Sequence, residues 1–580
     1  MTGTRALQDM VVTDIGVGTP RFGDTALTAR ARADGPLAAW RAALDAAAAR
    51  APGTAMAELG AEVARAVTGD YAVGLHRDDG CAFLAVDRFA VRSLCWRVDE
   101  GRLRVAVRAD ELADAGTPVD PQAIFDYLFF HCIPSPRTIF AGVHRLPPGY
   151  CGWWDGRQMH VRRYDTPHFV EPSGPVSFDA LKDEFRALLE RGVAERLGDG
   201  TPACFLSGGT DSSTVAGMIG RVAGRPAATY SIGFEAEGYD EMAYARIAAR
   251  HFGTEHHEYY VTPDDLVRGI GTVAASYDQP FGNSSALPAY YCALKARDDG
   301  VLRLLAGDGG DELFGGNARY AKQRVFGWYG ALPAGLRRGL LEPFFELGAV
   351  TRTPLLKKGS SYIEQARVPM PDRMQMYNLL LRLGIDKVLT PEFRAQIDVQ
   401  APLTHQRGVW NEVRDASELN RTLAYDWRYT LGESDLPKVC GTTRLAGVQV
   451  AFPMLDDALL AFSLKLPTAY KLKGLKLRWF FKEALRGFLP DEILAKRKQG
   501  FGLPFGVWLT RHPALMALAR ASLDGLAPRG IVRPDFITGL FDRLLPQHPG
   551  YYGEMVWILM MLEQWLRCHA PGHGLGGRGR

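Results

Sequence analysis

Ala203-Cys204-Phe205-Leu206-Ser207-Gly208-Gly209-Thr210-Asp211-Ser212-Ser213, running on into Thr214-Val215-Ala216-Gly217-Met218-Ile219, decides how this chain is read. A short apolar run ends in a glycine-rich turn, and the residues after the turn have helical character, so the order is strand, turn, helix. Gly208 and Gly209 let the main chain come close to a bound group, while Ser207, Ser212 and Ser213 add hydroxyl donors. The start of the helix presents unpaired N–H groups to an anion. A nucleotide phosphate suits that arrangement. The chain has no Gly-x-x-x-x-Gly-Lys-Ser/Thr, which separates this loop from the kinase-type phosphate loop.

Working outward, Ala203–Leu206, Ala227–Phe234 and Val301–Ala306 are candidate parallel strands with helical segments between them. That is a doubly wound α/β layout, in which ligands sit at the carboxyl ends of the strands. Residues 320–430 lack strand signals and read as helical. Toward the N-terminus the texture changes. Ala-rich helical segments, Leu37–Arg50 and Ala55–Val67, precede strand-like runs at Tyr71–Leu75, Cys81–Val86 and Leu103–Val107, which suggests a mixed sandwich with antiparallel pairs. A polar, Pro-containing stretch at Thr166–Ser177 reads as a linker. The expected domains are 1–165 and 178–570, with 571–580 a disordered Gly- and Arg-rich tail.

Bulk properties exclude several classes. A formal net charge of +3 over 580 residues gives no reason to expect nucleic acid or an anionic membrane as partner. The eight cysteines are scattered without a Cys-x-x-Cys pair, which speaks against zinc and a disulfide framework. No secretory pattern opens the chain and no apolar run approaches the roughly 20 residues of a membrane span, so a cytoplasmic location is expected. Met555–Leu562 reads as a buried core helix, and a homodimer is left open.

Three motifs fall at the ends of the three candidate strands: Ser207–Ser213, Ser231-Ile232-Gly233-Phe234 with Tyr239-Asp240-Glu241, and Gly307-Asp308-Gly309-Gly310-Asp311-Glu312. With these in order, the chain resembles the asparagine synthetase family, whose pyrophosphate loop serves enzymes that split ATP between the α and β phosphates. Asp278-Gln279-Pro280-Phe281-Gly282-Asn283-Ser284-Ser285, Pro453-Met454-Leu455-Asp456 and Lys496-Arg497-Lys498-Gln499-Gly500-Phe501-Gly502-Leu503-Pro504 resemble further family segments. The resemblance implies an N-terminal Ntn-hydrolase-like sandwich in degenerate form. It also implies a C-terminal adenine-nucleotide α-hydrolase-like doubly wound parallel sheet with helical additions.

The activity implied is an ATP-dependent ligase that adenylates a small-molecule or peptide carboxylate, releases pyrophosphate and passes the acyl group to ammonia or an amine. ATP and Mg²⁺ are the implied cofactors. By the same resemblance Asp211 and Asp311 hold metal, Lys498 steadies the pyrophosphate side, and Asp308 is the acid–base candidate, its plainer role being a turn hydrogen bond. Adenine would lie against the backbone of Leu206, Ile232 and Gly307. Ser207, Gly208, Gly209, Asp211, Ser212 and Ser213 would surround the phosphates. Asp278 and Glu241 are further candidates, though Glu241 can simply favour the helix beginning near Met242. Lys473, Lys476 and Arg478 are read as solvated surface rather than as helpers.

The resemblance breaks at the N-terminus. Glutamine-dependent relatives carry a nucleophilic cysteine at position 2, and here position 2 is Thr2. Family glutamine-binding motifs are missing, although Gly69–Val73, Asp87–Leu94 and Ile139–Gly149 resemble family segments, the first two where the domains pack. The expectation is a domain kept for folding without its own glutaminase. Competing readings are a macrocyclase of the lasso-peptide type and a nucleotide-binding pseudoenzyme that regulates a partner; β-lactam-forming relatives do not keep the acidic residue matched by Asp308.

Overall fold

The computed structural model describes residues 14–330, 332–346, 354–496 and 502–574. The chain divides into two compact units, residues 1–120 with 134–166 and residues 121–133 with 167–580.

In the first unit, β1 (Ile15–Gly18) precedes helices α1 (Pro36–Arg50) and α2 (Met56–Ala66). Then come β2 (Tyr71–His76), β3 (Ala82–Val86), β4 (Tyr150–Trp154) and β5 (Met159–Arg163). They form one antiparallel sheet in the order β1-β2-β3-β4-β5. Strand alternation sorts the side chains. Tyr71, Val73, Leu75, Phe83 and Ala85 join Trp40 and Leu44 of α1 and Leu59 and Val63 of α2 in one core. Ala72, Leu84 and Val86 face the other way, into a core with Leu94, Leu103 and Leu146. Leu103 belongs to a separate three-stranded sheet of residues 102–106, 95–99 and 143–145. The expected sandwich is present, with both faces of β2 and β3 covered. The buried carboxylate of Asp87 accepts from the amides of Tyr71, Phe89, Val91 and Arg92, tying two of the motif segments together inside this unit.

A single cut near residue 165 does not describe the division, because α3 (Pro121–Phe130) goes with the second unit. Its Ile124, Phe125, Tyr127, Leu128 and Phe129 are all buried. A helix apolar all round needs cover on every side, and composition does not say which unit supplies it. Tyr127 Oη donates to Ile558 O at 2.8 Å, and Asn378 Nδ2 donates to Phe129 O at 2.7 Å.

The second unit is built on β6 (Ala203–Phe205), α4 (Thr210–Ala223), β7 (Ala228–Phe234), α5 (Met242–Phe252), β8 (Glu255–Val261), α6 (Ala286–Asp298), β9 (Arg303–Leu305), α7 (Gly310–Phe314), α8 (Leu436–Ala446) and β10 (Gln449–Ala451). The five strands pair in parallel in the order β8-β7-β6-β9-β10. From β6 the chain winds outward through β7 to β8, then restarts on the other side with β9 and β10. The reversal lies between β6 and β9, where a doubly wound sheet opens its ligand crevice. The expected helical character of residues 320–430 holds for the described part, apart from isolated bridges. Helix α9 (Pro549–His569) buries Met555 through Leu562, as the apolar run predicts. Of the expected tail, residues 575–580 lie outside the described ones. Pro571 and His573 are tied down, their carbonyls accepting from Arg529 Nη1 at 3.3 and 2.7 Å. Among the described residues no helix is long and apolar enough to cross a membrane.

Candidate active site

Strands β6 and β9 are neighbours, so the loops at their carboxyl ends face each other. A cavity of about 510 Å³ opens there, lined by Leu206, Ser207, Asp211, Ser212, Ile232, Gly307, Asp308 and Asp311. A second, of about 880 Å³, shares Ser207, Asp211, Ser212 and Asp311 with it and adds Gly209, Lys476, Arg478, Lys482 and Lys496. Asp211 and Asp311 therefore stand where the two meet.

The first loop is braced by its own hydroxyls. Ser207 N–H donates to Ser212 Oγ at 3.1 Å, the two serine hydroxyls are 3.0 Å apart, and Gly209 N–H donates to Ser207 Oγ at 3.4 Å. Leu206 lies at the crevice, but its side chain is buried. Its N–H donates to Tyr230 O at 2.8 Å and its carbonyl accepts from Ser231 Oγ. Gly208 has a φ of 67°, and a Cβ there would stand 2.4 Å from the Ala245 nitrogen, so only glycine fits where the turn crosses α5. Its carbonyl accepts from Lys496 Nζ at 3.3 Å. Ser213 stands apart from the other loop residues. Its side chain is fully buried and its N–H donates to Gly209 O, because one helical step past Ser212 turns it into the core.

Asp308 is half-buried at the end of β9. Burial pushes its carboxyl up to about 6, against the pull of Lys438 and with help from Asp435. Lys438 and Asp435 pair at 2.7 Å at the start of α8 and line the same cavity. Burial works to lower the Lys438 pKa, and the carboxylates of Asp435 and Asp308 overcome it. Asn283 and Ser285 complete this polar end, whereas Asp278 of the same motif does not line the cavity. Glu241 caps α5 without a side-chain cap bond and pairs instead with Lys496 at 3.0 Å. Asp456 is structural: it is buried, pairs with Arg196 at 3.1 Å and caps the next helix. Leu455 beside it packs so closely under the second loop that a Cβ on Gly309 would stand 2.2 Å from it.

Arg478 overturns the reading of residues 473–478 as solvated surface. Lys473 and Lys476 are exposed, but Arg478 is only 4% exposed. Its guanidinium donates to Asp211, bonds Thr210 Oγ1 at 2.6 Å and lies 3.2 Å from Asp311 Oδ1. The Trp479-Phe480-Phe481 run directly after it is the sequence signal that this segment dives inward. Lys438 and Lys482 carry no such signal, since isolated lysines form no pattern in a sequence, whereas Lys496 opens the Lys496–Pro504 segment already singled out. Lys498 lies outside the described residues.

Two carboxylates from separate loops converge on one guanidinium, and among the described residues no group of three or more His, Cys, Asp or Glu could hold a metal. A convergent carboxylate pair without a protein cage is what Mg²⁺ takes when substrate phosphates and water complete its shell, so the donor set fits.

The Asparagine synthase family model matches residues 184–567, more than half of the chain. The chain belongs to the asparagine synthase family. Membership makes it an ATP-dependent carbon–nitrogen ligase. A Glutamine amidotransferase domain model matches residues 53–165. A Mycobacterium tuberculosis protein provisionally named a glutamine-hydrolysing asparagine synthetase is 26% identical over 502 residues, 83% of this chain and 74% of the relative. Asparagine synthetase (glutamine-hydrolysing) 1 of Bacillus subtilis is 24% identical over 452 residues, 75% of this chain and 67% of the relative. In Asparagus officinalis a relative of the same name is 33% identical over 193 residues, 30% of this chain and 31% of its own. The asparagine synthase region spans both cavities, and the amidotransferase region lies within the first sandwich apart from α3.

Proposed function

We propose that this synthase-family ligase activates a small-molecule or peptide carboxylate as its acyl-adenylate and transfers the acyl group to ammonia or an amine. A carboxylate oxygen attacks the α-phosphorus of ATP, the α–β bridge breaks and pyrophosphate leaves. Nitrogen then attacks the acyl carbon, gives up a proton, and AMP departs with the electron pair of the acyl–oxygen bond. The observation that carries this reading is the sharing of one cavity by the Ser207–Ser212 loop and Asp308. The loop and the start of α4 face the phosphates. Asp211 and Asp311 would hold Mg²⁺, which when bound would neutralise charge on the departing pyrophosphate. Lys498 is assigned to that same side. Leu206, Ile232 and Gly307 lie against the base through their main chains.

Asp308 takes the proton from the attacking nitrogen. A carboxyl group pushed up to about 6 is mostly ionised at neutral pH yet still basic enough to accept a proton.

The nitrogen donor is ammonia or an amine rather than a hydrolysed glutamine. Thr2 stands where relatives carry the nucleophile, and it lies outside the described residues. Burial pushes the Cys151 thiol of the sandwich up to about 12, far from a reactive thiolate. Pyrophosphate release with ATP, Mg²⁺ and a panel of carboxylates tests the activation step. ATP that is bound but never cleaved with any acid would refute it. Glutamate formed from glutamine would refute the assignment of the nitrogen source.

A further inference from the structure

Arg478 is held in an unusual way for a cation beside two metal-type carboxylates. Its backbone φ is 52°, in the left-handed region that costs an L-residue about 1–2 kcal/mol. The segment is fixed there by its own N–H, which donates to Gly315 O at 3.1 Å, and by the Phe481 ring 4.5 Å from the guanidinium carbon. Space around it is cleared. A Cβ on Gly310 would stand 2.6 Å from Nη2 and one on Gly316 2.6 Å from Cδ and Nε. Nη1 and Nη2 reach Thr210, Asp211 and Asp311, while the buried Nε has no acceptor among the described residues. The guanidinium is thus bound by its tip and keeps a donor in reserve. It cannot discard its proton. It is a permanent cation on the carboxylates assigned above to metal, in contact with Oδ1 of both Asp211 and Asp311.

We propose that Arg478 is an internal counter-cation, which keeps divalent metal off Asp211 and Asp311 until a nucleotide arrives and then turns its donors onto phosphate oxygens. Without it two neighbouring carboxylates would repel each other in a half-buried site. Phosphate suits the planar fork as carboxylate does, through two parallel N–H···O bonds, and a nucleotide's phosphates bring more negative charge to it. Release of the two carboxylates then admits the metal that arrives with the nucleotide. Metal uptake becomes conditional on nucleotide, and by reciprocity nucleotide affinity rises by the same factor when metal is present. The inference rests on the assignment of Asp211 and Asp311 to metal.

The test is Mn²⁺ titration of the full chain, followed by the loss of the free-ion paramagnetic resonance signal, with and without a methylene-bridged ATP analogue that cannot be cleaved between the α and β phosphates. The wild-type chain should bind Mn²⁺ at least about tenfold more tightly with the analogue than without it. Arg478→Gln should bind Mn²⁺ without nucleotide, and the dependence on the analogue should shrink. If that variant fails to unfold cooperatively on heating, Arg478→Lys, which keeps the charge but loses the fork, should give an intermediate dependence. Equal Mn²⁺ affinity in the wild type with and without the analogue, or no change in either variant, would overturn the proposal while leaving the metal assignment standing. Mn²⁺ uptake that Asp211→Asn does not weaken would remove the metal assignment, and the proposal with it.

Discussion

Asp308 and Asp311 belong to one loop, yet the protein treats them oppositely. Asp308 faces Lys438, which is already engaged by Asp435, so burial prevails and its carboxyl is pushed up to about 6. Asp311 faces Arg478, whose guanidinium also pairs with Asp211 of the first loop. The difference lies in how each cation is occupied. A lysine paired elsewhere leaves its neighbour able to take a proton, whereas an arginine between two acids sets a fixed positive charge beside both. One loop thereby carries a base and a metal-type carboxylate within a few residues.

The contrast can be broken experimentally. Asp308→Asn should slow amide formation by about 10²–10⁴-fold, the usual worth of a general base, while ATP–pyrophosphate exchange survives. Loss of exchange to the same degree would mean that Asp308 serves activation instead. Asp311→Asn should do the reverse, lowering pyrophosphate release by about 10²–10³-fold as charge stabilisation is lost. Gly316→Ala sharpens the same point sterically. Its Cβ would stand 1.7 Å from Asp311 Oδ1, so the loop must shift, at about 1–3 kcal/mol in thermal unfolding together with weaker pyrophosphate release. The smallest effect is one of pH. Because Asp308 must be ionised to accept a proton, kcat/KM for amide formation should rise with pH through about 6. Lys438→Met removes the cation that lowers the Asp308 pKa and should move that rise to higher pH; an unmoved profile would show that another group titrates.

Much of this was legible from residues alone. Strands β6, β7 and β9 are buried and read as apolar runs, so their ends and the three motifs could be placed. Edge strand β8 begins Glu255-His256-His257-Glu258 and β10 opens on the exposed Gln449, which leaves neither with a continuous apolar run. The crevice residues Ser207, Gly209, Asp211, Ser212, Asp308 and Asp311 can be read from the loops. Ser213 cannot, and for Arg478 the aromatic run after it signals burial but not its partners. A one-residue step on a helix decides the first. Acceptors far away in the chain decide the second, in a stretch whose lysines otherwise look like a surface hairpin.

That distance has a consequence for how the protein comes into being. Asp211 and its Arg478 partner are 267 positions apart. A chain still emerging from the ribosome can complete the Ser207–Ser213 turn long before residue 478 has been added, and contacts of such separation form late. Competence to handle ATP is therefore acquired near the end of synthesis, and a chain truncated before Arg478 would carry the nucleotide loop with its charge uncompensated.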